Sequence, residues 1–393
     1  MTDAADNTAT QPTSAPRLSD FDGSRDNNFN LIRFLAATAV IFGHSYLIAW
    51  GDQQQYEEPI YKLTGWVSGH HAVDVFFATS GFLIMASLFR HPRVSYYVKA
   101  RALRIYPALL VAVLFCAFIV GPMFTSKSMG EYFASKQVYK FVMANSILEP
   151  FPIQYKLPGV FENAPYSTDD TNPPTGDLNG SLWTLPHEIK AYIGVGLFFF
   201  FFVLLRKREK LLPIAFYGLT ALFMAYFAYR GFTIEGGLVQ DHYRLYAFFL
   251  TGGCFYLLRK HIPLHLPLAS GLLVASLIAF YFLRNDTLWN TAWLVIMPYI
   301  LFCLAYLPGG ALRRFNKLGD YSYGIYIYAW PIQQIVATWI PGIDPIPMTL
   351  ITFPVTLCLA VMSWHFIERP CLKRVRSARA RAVEAPSAAP ASA

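Results

Sequence analysis

Residues 31–49 read LIRFLAATAVIFGHSYLIA, a stretch in which only Arg33 and His44 can carry charge near neutral pH. It is about as long as the roughly 20 apolar residues needed to cross a bilayer as a helix. It is also apolar all round, unlike the one-faced pattern of a surface helix. Comparable runs recur at about 71–89, 105–123, 183–205, 211–229, 243–258, 266–283, 291–308, 322–340 and 347–367. The sixth is the shortest and carries Arg244. Lipid leaves backbone polar groups no water to bond, so runs of this kind must satisfy themselves as helices. The expected fold is all-α: a polytopic transmembrane bundle of about ten helices.

Composition agrees. Charged residues make up 14% of the chain, against about 25% in soluble domains. The 33 Phe and 24 Tyr suit lipid-facing helices and interfacial belts. The net charge of +8 does not point to nucleic acid, because no basic stripe interleaved with aromatics appears on a polar face. Basic residues instead cluster between apolar runs. With the N-terminus in the cytoplasm, about two thirds of the 32 Lys and Arg fall on the cytoplasmic side, as the positive-inside rule requires. An even number of spans then puts both termini there.

Three regions follow. Residues 1–27 are polar and lack the apolar core of a signal peptide, so they are expected to form a disordered cytoplasmic tail. Residues 28–373 form the transmembrane domain, and residues 374–393, rich in Ala, Ser, Pro and Arg, form a second disordered tail. The longest loop, about 124–180, faces outward and is rich in aromatics and proline, which favours a cover over an outward-facing site. The five cysteines sit mostly inside apolar runs without CxxC spacing and read as small buried hydrophobes.

Ionisable side chains inside spans are costly and invite a functional reading. Arg33 and His44 are eleven residues apart, which returns them to within roughly 20° of one another and separates them by about 16.5 Å along the axis. One helix face thus carries a cation near one surface and an imidazole about two-thirds of the way across. Snorkelling of Arg33 and simple packing of His44 would explain the pair equally well. The next run opens with His70, His71 and Asp74. Further ligands are lacking, so no metal site is expected; an Asp74 carboxylate that orients an imidazole fits better. At the fourth run Ser181 is a candidate N-cap, and Glu188 and Tyr192 share a face at i and i+4. A carboxylate favoured by the helix dipole accounts for Glu188 as well as catalysis does. Arg101 and Arg104 are either positive-inside anchors or a phosphate clamp.

Taken together, these segments resemble the membrane-bound acyltransferase-3 family, whose members O-acylate glycans and other extracytoplasmic or lipid-linked molecules. Arg33-x10-His44 has the family's hallmark spacing, and residues 74–84 (DVFFATSGFLI) look like its second-helix signature. Arg101-x-x-Arg104-Ile105-x-Pro107, residues 181–185 (SLWTL) followed by Glu188, residues 320–326 (DYSYGIY) and residues 366–370 (FIERP) match four further helices. The likeness runs in order from about residue 28 to 373. Where many members carry a histidine after the ninth-helix tyrosines, this chain has Tyr328-Ala329-Trp330-Pro331, so no catalytic role is carried over there. The fused C-terminal esterase-like domain of longer members is not expected, which leaves room for a separate periplasmic acyl-transfer partner.

The resemblance implies an enzyme of the bacterial inner membrane that takes an acyl group, acetyl by family prevalence, from cytoplasmic acyl-CoA to a hydroxyl of a glycan acceptor. Acyl-CoA is then a co-substrate, and no permanently bound cofactor is implied. His44, Asp74 and Glu188 become the catalytic candidates, with His44 as general base. Arg33, Arg101 and Arg104 would hold the donor, supported by Ser80, Trp183, Tyr192, Tyr323 and Glu368. A transporter or flippase for a lipid-linked sugar is the rival, weakened by the lack of an internal repeat or paired broken helices.

Overall fold

The computed structural model describes residues 15–51, 55–148, 150–162, 176–207, 209–233, 242–283 and 286–374. Its long helices are α1 (Phe29–Trp50), α2 (Ser68–Arg90), α3 (Val94–Phe115), α4 (Thr184–Leu204), α5 (Leu211–Thr233), α6 (Tyr243–Leu257), α7 (Leu266–Leu283), α8 (Asp286–Tyr306), α9 (Ser322–Trp339) and α10 (Pro345–Ser363). They fall in order on the apolar runs of the sequence. By length and composition, 7 segments can cross a membrane, namely those built on α1 to α5, α8 and α10. Helix α7 is a shorter apolar helix, and α6, at 15 residues, is shorter still. The molecule is a helical, multi-pass membrane protein. Leu197, Leu204, Phe282 and Phe366 are all at least 70% exposed, an apolar exterior that water would not tolerate and lipid supplies.

Helix α2 is the axis of the bundle, with two thirds of its apolar window buried. It packs against α1 on one side and α6 on another, and α1 also meets α9 and α10. The approach of α2 to α6 depends on glycine. A Cβ on Gly81 would lie 1.8 Å from the Phe249 carbonyl oxygen, and one on Gly252 would lie 2.0 Å from that of Ala78. Each backbone fills the notch of the other, the small-residue packing that drives helix association in lipid. Two helices also carry π-helical turns, which often mark functional sites. Helix α3 passes through Cys116–Val120, and α10 runs on through Trp364–Glu368.

Two expectations need correction. Residues 15–27, expected to be disordered, are packed in two places: Pro16 to Asp22 lie against the α6–α7 connection, and Asp26 and Asn27 bond to Arg313 and Asn316 after α8. Leu18 is buried; the Leu18 and Ser19 amides donate to the Ile262 and Arg259 carbonyls at 2.9 Å, and Asp22 pairs with Arg259 at 2.8 Å. Polar composition concealed one well-placed leucine and a set of backbone bonds. Ser181 is not an N-cap: it lies buried inside a 3-10 turn, Gly180–Trp183, that precedes α4. Residues 1–14 and 375–393 of the expected tails lie outside the described residues, as do 163–175 of the long loop. The described part of that loop folds back on α3. Two short helices, Met129–Ala134 and Lys136–Ile147, are anchored by the Tyr132 hydroxyl, which donates to the Ala117 carbonyl at 2.8 Å.

Gly252→Val should prevent α2 and α6 from meeting, so the membrane-inserted protein should fail to give a monodisperse, heat-stable species in detergent. Substitution of Gly271, where a Cβ meets nothing within 4 Å, should leave that species intact.

Candidate active site

Two cavities sit back to back along α1. The first, about 510 Å³ in volume, surrounds the N-terminal end of α1 and contains Arg33, Arg101 and Arg104. Two of the three guanidinium groups, those of Arg33 and Arg104, are joined through a shared carboxylate. Asp320, immediately before α9, accepts from Arg33 at 3.0 Å and from Arg104 at 2.7 Å. Arg104 also reaches Glu368, beyond α10, at 3.3 Å. The Ser322 hydroxyl donates to Asp320 at 2.5 Å and that of Ser363 to Glu368 at 3.1 Å. Burial alone would raise the Asp320 carboxyl, but Arg104, Arg33 and the Ser322 hydroxyl outweigh it and hold it well below the usual carboxylate range. It therefore stays ionised and keeps both arginines charged and in place.

Arg101 differs from its two neighbours. Its guanidinium lies 5.8 Å over the Tyr192 ring, and its Nε has no hydrogen-bond partner among the described residues. Arg33 uses one Nη on Asp320, out of five donors on a guanidinium. The cavity thus holds cations with unused donors, groups suited to binding phosphate. Ser80, Glu188, Tyr192 and Tyr323 line it too. The Tyr192 hydroxyl donates to Glu188, and Tyr323 donates to the Ile105 carbonyl at 3.0 Å beneath the Arg104 guanidinium.

The second cavity, about 400 Å³, opens at the C-terminal end of α1 and contains His44. Each cavity is within the range of small-molecule sites. His44 packs edge-on against Trp330, with ring centroids 4.7 Å apart, and its Nδ1 makes no hydrogen bond among the described residues. Trp330 belongs to the Tyr328-Ala329-Trp330-Pro331 stretch of α9. Its Nε1 donates to the Asp177 carbonyl at 2.8 Å, and a Cβ on Gly180 would meet its ring at 2.5 Å. The end of the long loop is therefore clamped over α9. Trp66, Trp183 and Trp330 line this cavity with Tyr56, Tyr61 and Tyr155, and Asp177 adds a carboxylate.

The three residues expected to share catalysis are not brought together. Asp74 does not orient an imidazole: it is buried in an ion pair with Arg244 at 2.8 Å, because a guanidinium outcompetes a neutral ring for a carboxylate in a medium of low dielectric. Arg244 lies 4.3 Å over Trp66, whose ring is 5.5 Å from His70 in the cavity wall. The pair therefore supports the histidine cavity from behind. His71 is 2.8 Å from the Thr64 hydroxyl and does not line that cavity. Glu188 lines the arginine cavity, away from His44. Trp183 lies in the histidine cavity and Ser80 in the arginine cavity. Among the described residues, no group of three or more His, Cys, Asp and Glu side chains could hold a metal ion.

Sequence reasoning missed Asp320, Asp177, His242 and Tyr326. Asp320 opens one of the quoted motifs, and two nearby intramembrane arginines could have called for it. Asp177 had no such signal among the other polar residues of the loop. His242 lines the histidine cavity and stacks on His187 at 4.8 Å, a contact between residues far apart in sequence.

The model of the acyltransferase domain family matches residues 26–365, so the chain belongs to the acyltransferase-3 family and is a membrane-embedded acyltransferase. Among its relatives is a protein described as an O-acetyl transferase from Shigella phage Sf6. It is 28% identical over 368 residues, covering 89% of this chain and 97% of the phage protein. Another, nodulation protein 10 from Rhizobium leguminosarum bv. viciae, is 25% identical over 394 residues, covering 90% and 95%. No solved structure matches the chain.

Arg104→Ala leaves Glu368 buried without its cation and should destabilise the protein by about 3–5 kcal/mol, read as a lower melting temperature in detergent. Arg101→Gln breaks no ion pair and should melt like the wild type.

Proposed function

We propose that the chain transfers an acyl group, acetyl first, from cytoplasmic acyl-CoA to a hydroxyl of a glycan or lipid-linked sugar across the bacterial inner membrane. The observation that carries this reading is the pair of back-to-back cavities, one built around guanidinium groups and one around His44. The excess of Lys and Arg in the segments assigned to the cytoplasm supports placing the arginine cavity on that face. Both termini and all ten helical runs then fall as a ten-span topology, with residues 28–373 as the catalytic unit. The phage relative's description as an O-acetyl transferase supports acetyl.

The chemistry follows from what each cavity offers. Arg33 and Arg101 hold the phosphates of acyl-CoA as co-substrate, with Arg104 fixed by its two carboxylates as their support. Glu188 faces the donor's arm, where its carboxylate can accept an amide N–H. In the histidine cavity, Trp and Tyr faces suit the apolar faces of a sugar ring, and Asp177 can accept from its hydroxyls. The His44 imidazole takes the proton of the acceptor hydroxyl as that oxygen attacks the thioester carbonyl. The C–O bond forms, the C–S bond breaks, and the proton passes to the departing sulfur. Exclusion of bulk water by the aromatic walls protects the thioester from hydrolysis.

Membranes carrying the chain, given labelled acetyl-CoA, should acquire alkali-labile label on an envelope glycan. His44→Ala should reduce the rate by about 10²–10⁴-fold without lowering the amount of inserted protein. Unaltered labelling by His44→Ala membranes would overturn the assignment, and glycan moved across the membrane without label would point to a transporter. Arg33→Ala and Arg101→Gln should raise KM for acyl-CoA more than KM for the acceptor; an unchanged donor KM in both would remove the donor site from that cavity.

A further inference from the structure

Among the described residues the two cavities share two lining residues, Val73 of α2 and Tyr326 of α9. Both side chains are nearly buried, at 5% and 6% exposed. The Tyr326 hydroxyl lies 2.6 Å from the hydroxyl of Thr184, the first residue of α4, which itself lines the arginine cavity. The Phe76 ring stands edge-on to Tyr326 with centroids 6.0 Å apart, and Phe76 in turn lies 5.7 Å from the Arg33 guanidinium carbon. Three helices thus contribute to a partition: Val73 and Phe76 from α2, Thr184 from α4 and Tyr326 from α9. On its far sides stand the phosphate-binding cations and the histidine.

We infer that Tyr326, with Val73, is the gate through which the acyl group passes and the residue that selects acyl length. The inference rests on the reading of the arginine cavity as the donor side. If the phosphates stay with Arg33 and Arg101, only the thioester end of the donor has to meet His44, and the partition lies between them. Tyr326 is held by its hydroxyl contact with Thr184 and by the edge of Phe76, so rotation of its ring would join the cavities without separating an ion pair. When the ring swings, the opening is bounded by Val73 and the retracted ring. A two-carbon acyl group passes such an opening more easily than a longer one. Each methylene that must be accommodated or excluded in an apolar gap is worth roughly 10–200-fold in discrimination.

The test compares acetyl-CoA with butyryl-CoA as donors, measured as label incorporated by membranes that carry the full chain and their own glycans. Tyr326→Leu and, separately, Val73→Ala should raise the butyryl-to-acetyl ratio of kcat/KM by about tenfold or more, with KM for the CoA portion little changed. Tyr326→Phe keeps the ring and loses the bond to Thr184, so its ratio should stay near that of the wild type. Two independent variants keep the test informative if one fails to fold. A wild-type ratio in both Tyr326→Leu and Val73→Ala would overturn the gate, as would a shift in Tyr326→Phe equal to that in Tyr326→Leu. Absence of transfer from either donor by the wild type would overturn the donor reading itself, and the gate with it.

Discussion

One carboxylate joins the working parts of this protein. Asp320 receives Arg33 from α1 and Arg104 from α3, and Arg104 carries the link to Glu368 past the end of α10. In lipid an unpaired charge is costly, and removing one member of a buried pair costs more than the pair contributes. The network therefore fixes how α1, α3, α9 and α10 stand relative to one another at one end of the bundle. It also keeps two cations charged beside a cavity while leaving Arg101 without a carboxylate.

The opposite end of α1 follows other physics. His44 sits among tryptophan and tyrosine rings, with Asp177 the acidic group of the cavity wall. The second buried ion pair, Asp74 with Arg244, stands behind the wall, pressing the guanidinium onto Trp66. Ion pairs in this protein thus support both cavities, lining one and backing the other. Between them Tyr326 and Thr184 meet through neutral hydroxyls, so no ion pair holds the partition itself.

Much of this arrangement was legible before any coordinates, and the reason is helical periodicity. Arg33 and His44 lie on one helix, so their spacing alone predicts a shared face and an axial separation. Arg101 and Arg104 are likewise local. What could not be read was pairing across the sequence. Nothing near Asp74 announces Arg244, 170 positions away. Likewise Glu188 follows Trp183 by five positions, yet the two line different cavities, because Trp183 belongs to the 3-10 turn ahead of α4 and Glu188 to α4 itself. The packing of residues 15–27 was hidden by composition, since backbone hydrogen bonds and one buried leucine leave no polar-to-apolar signature. Tyr326 looked like one of several tyrosines in a motif; only the meeting of two cavities singles it out.

The central claim is that donor and acceptor chemistry occupy opposite ends of α1 and meet at the partition. A cryo-electron microscopy structure of the full chain with a non-hydrolysable acetyl-CoA analogue tests it most directly. The account predicts phosphate density within hydrogen-bonding reach of Arg33 and Arg101, and the thioester end beside Tyr326, pointing toward His44. Phosphates bound among the tryptophans around His44, or a donor seated wholly away from both cavities, would contradict it.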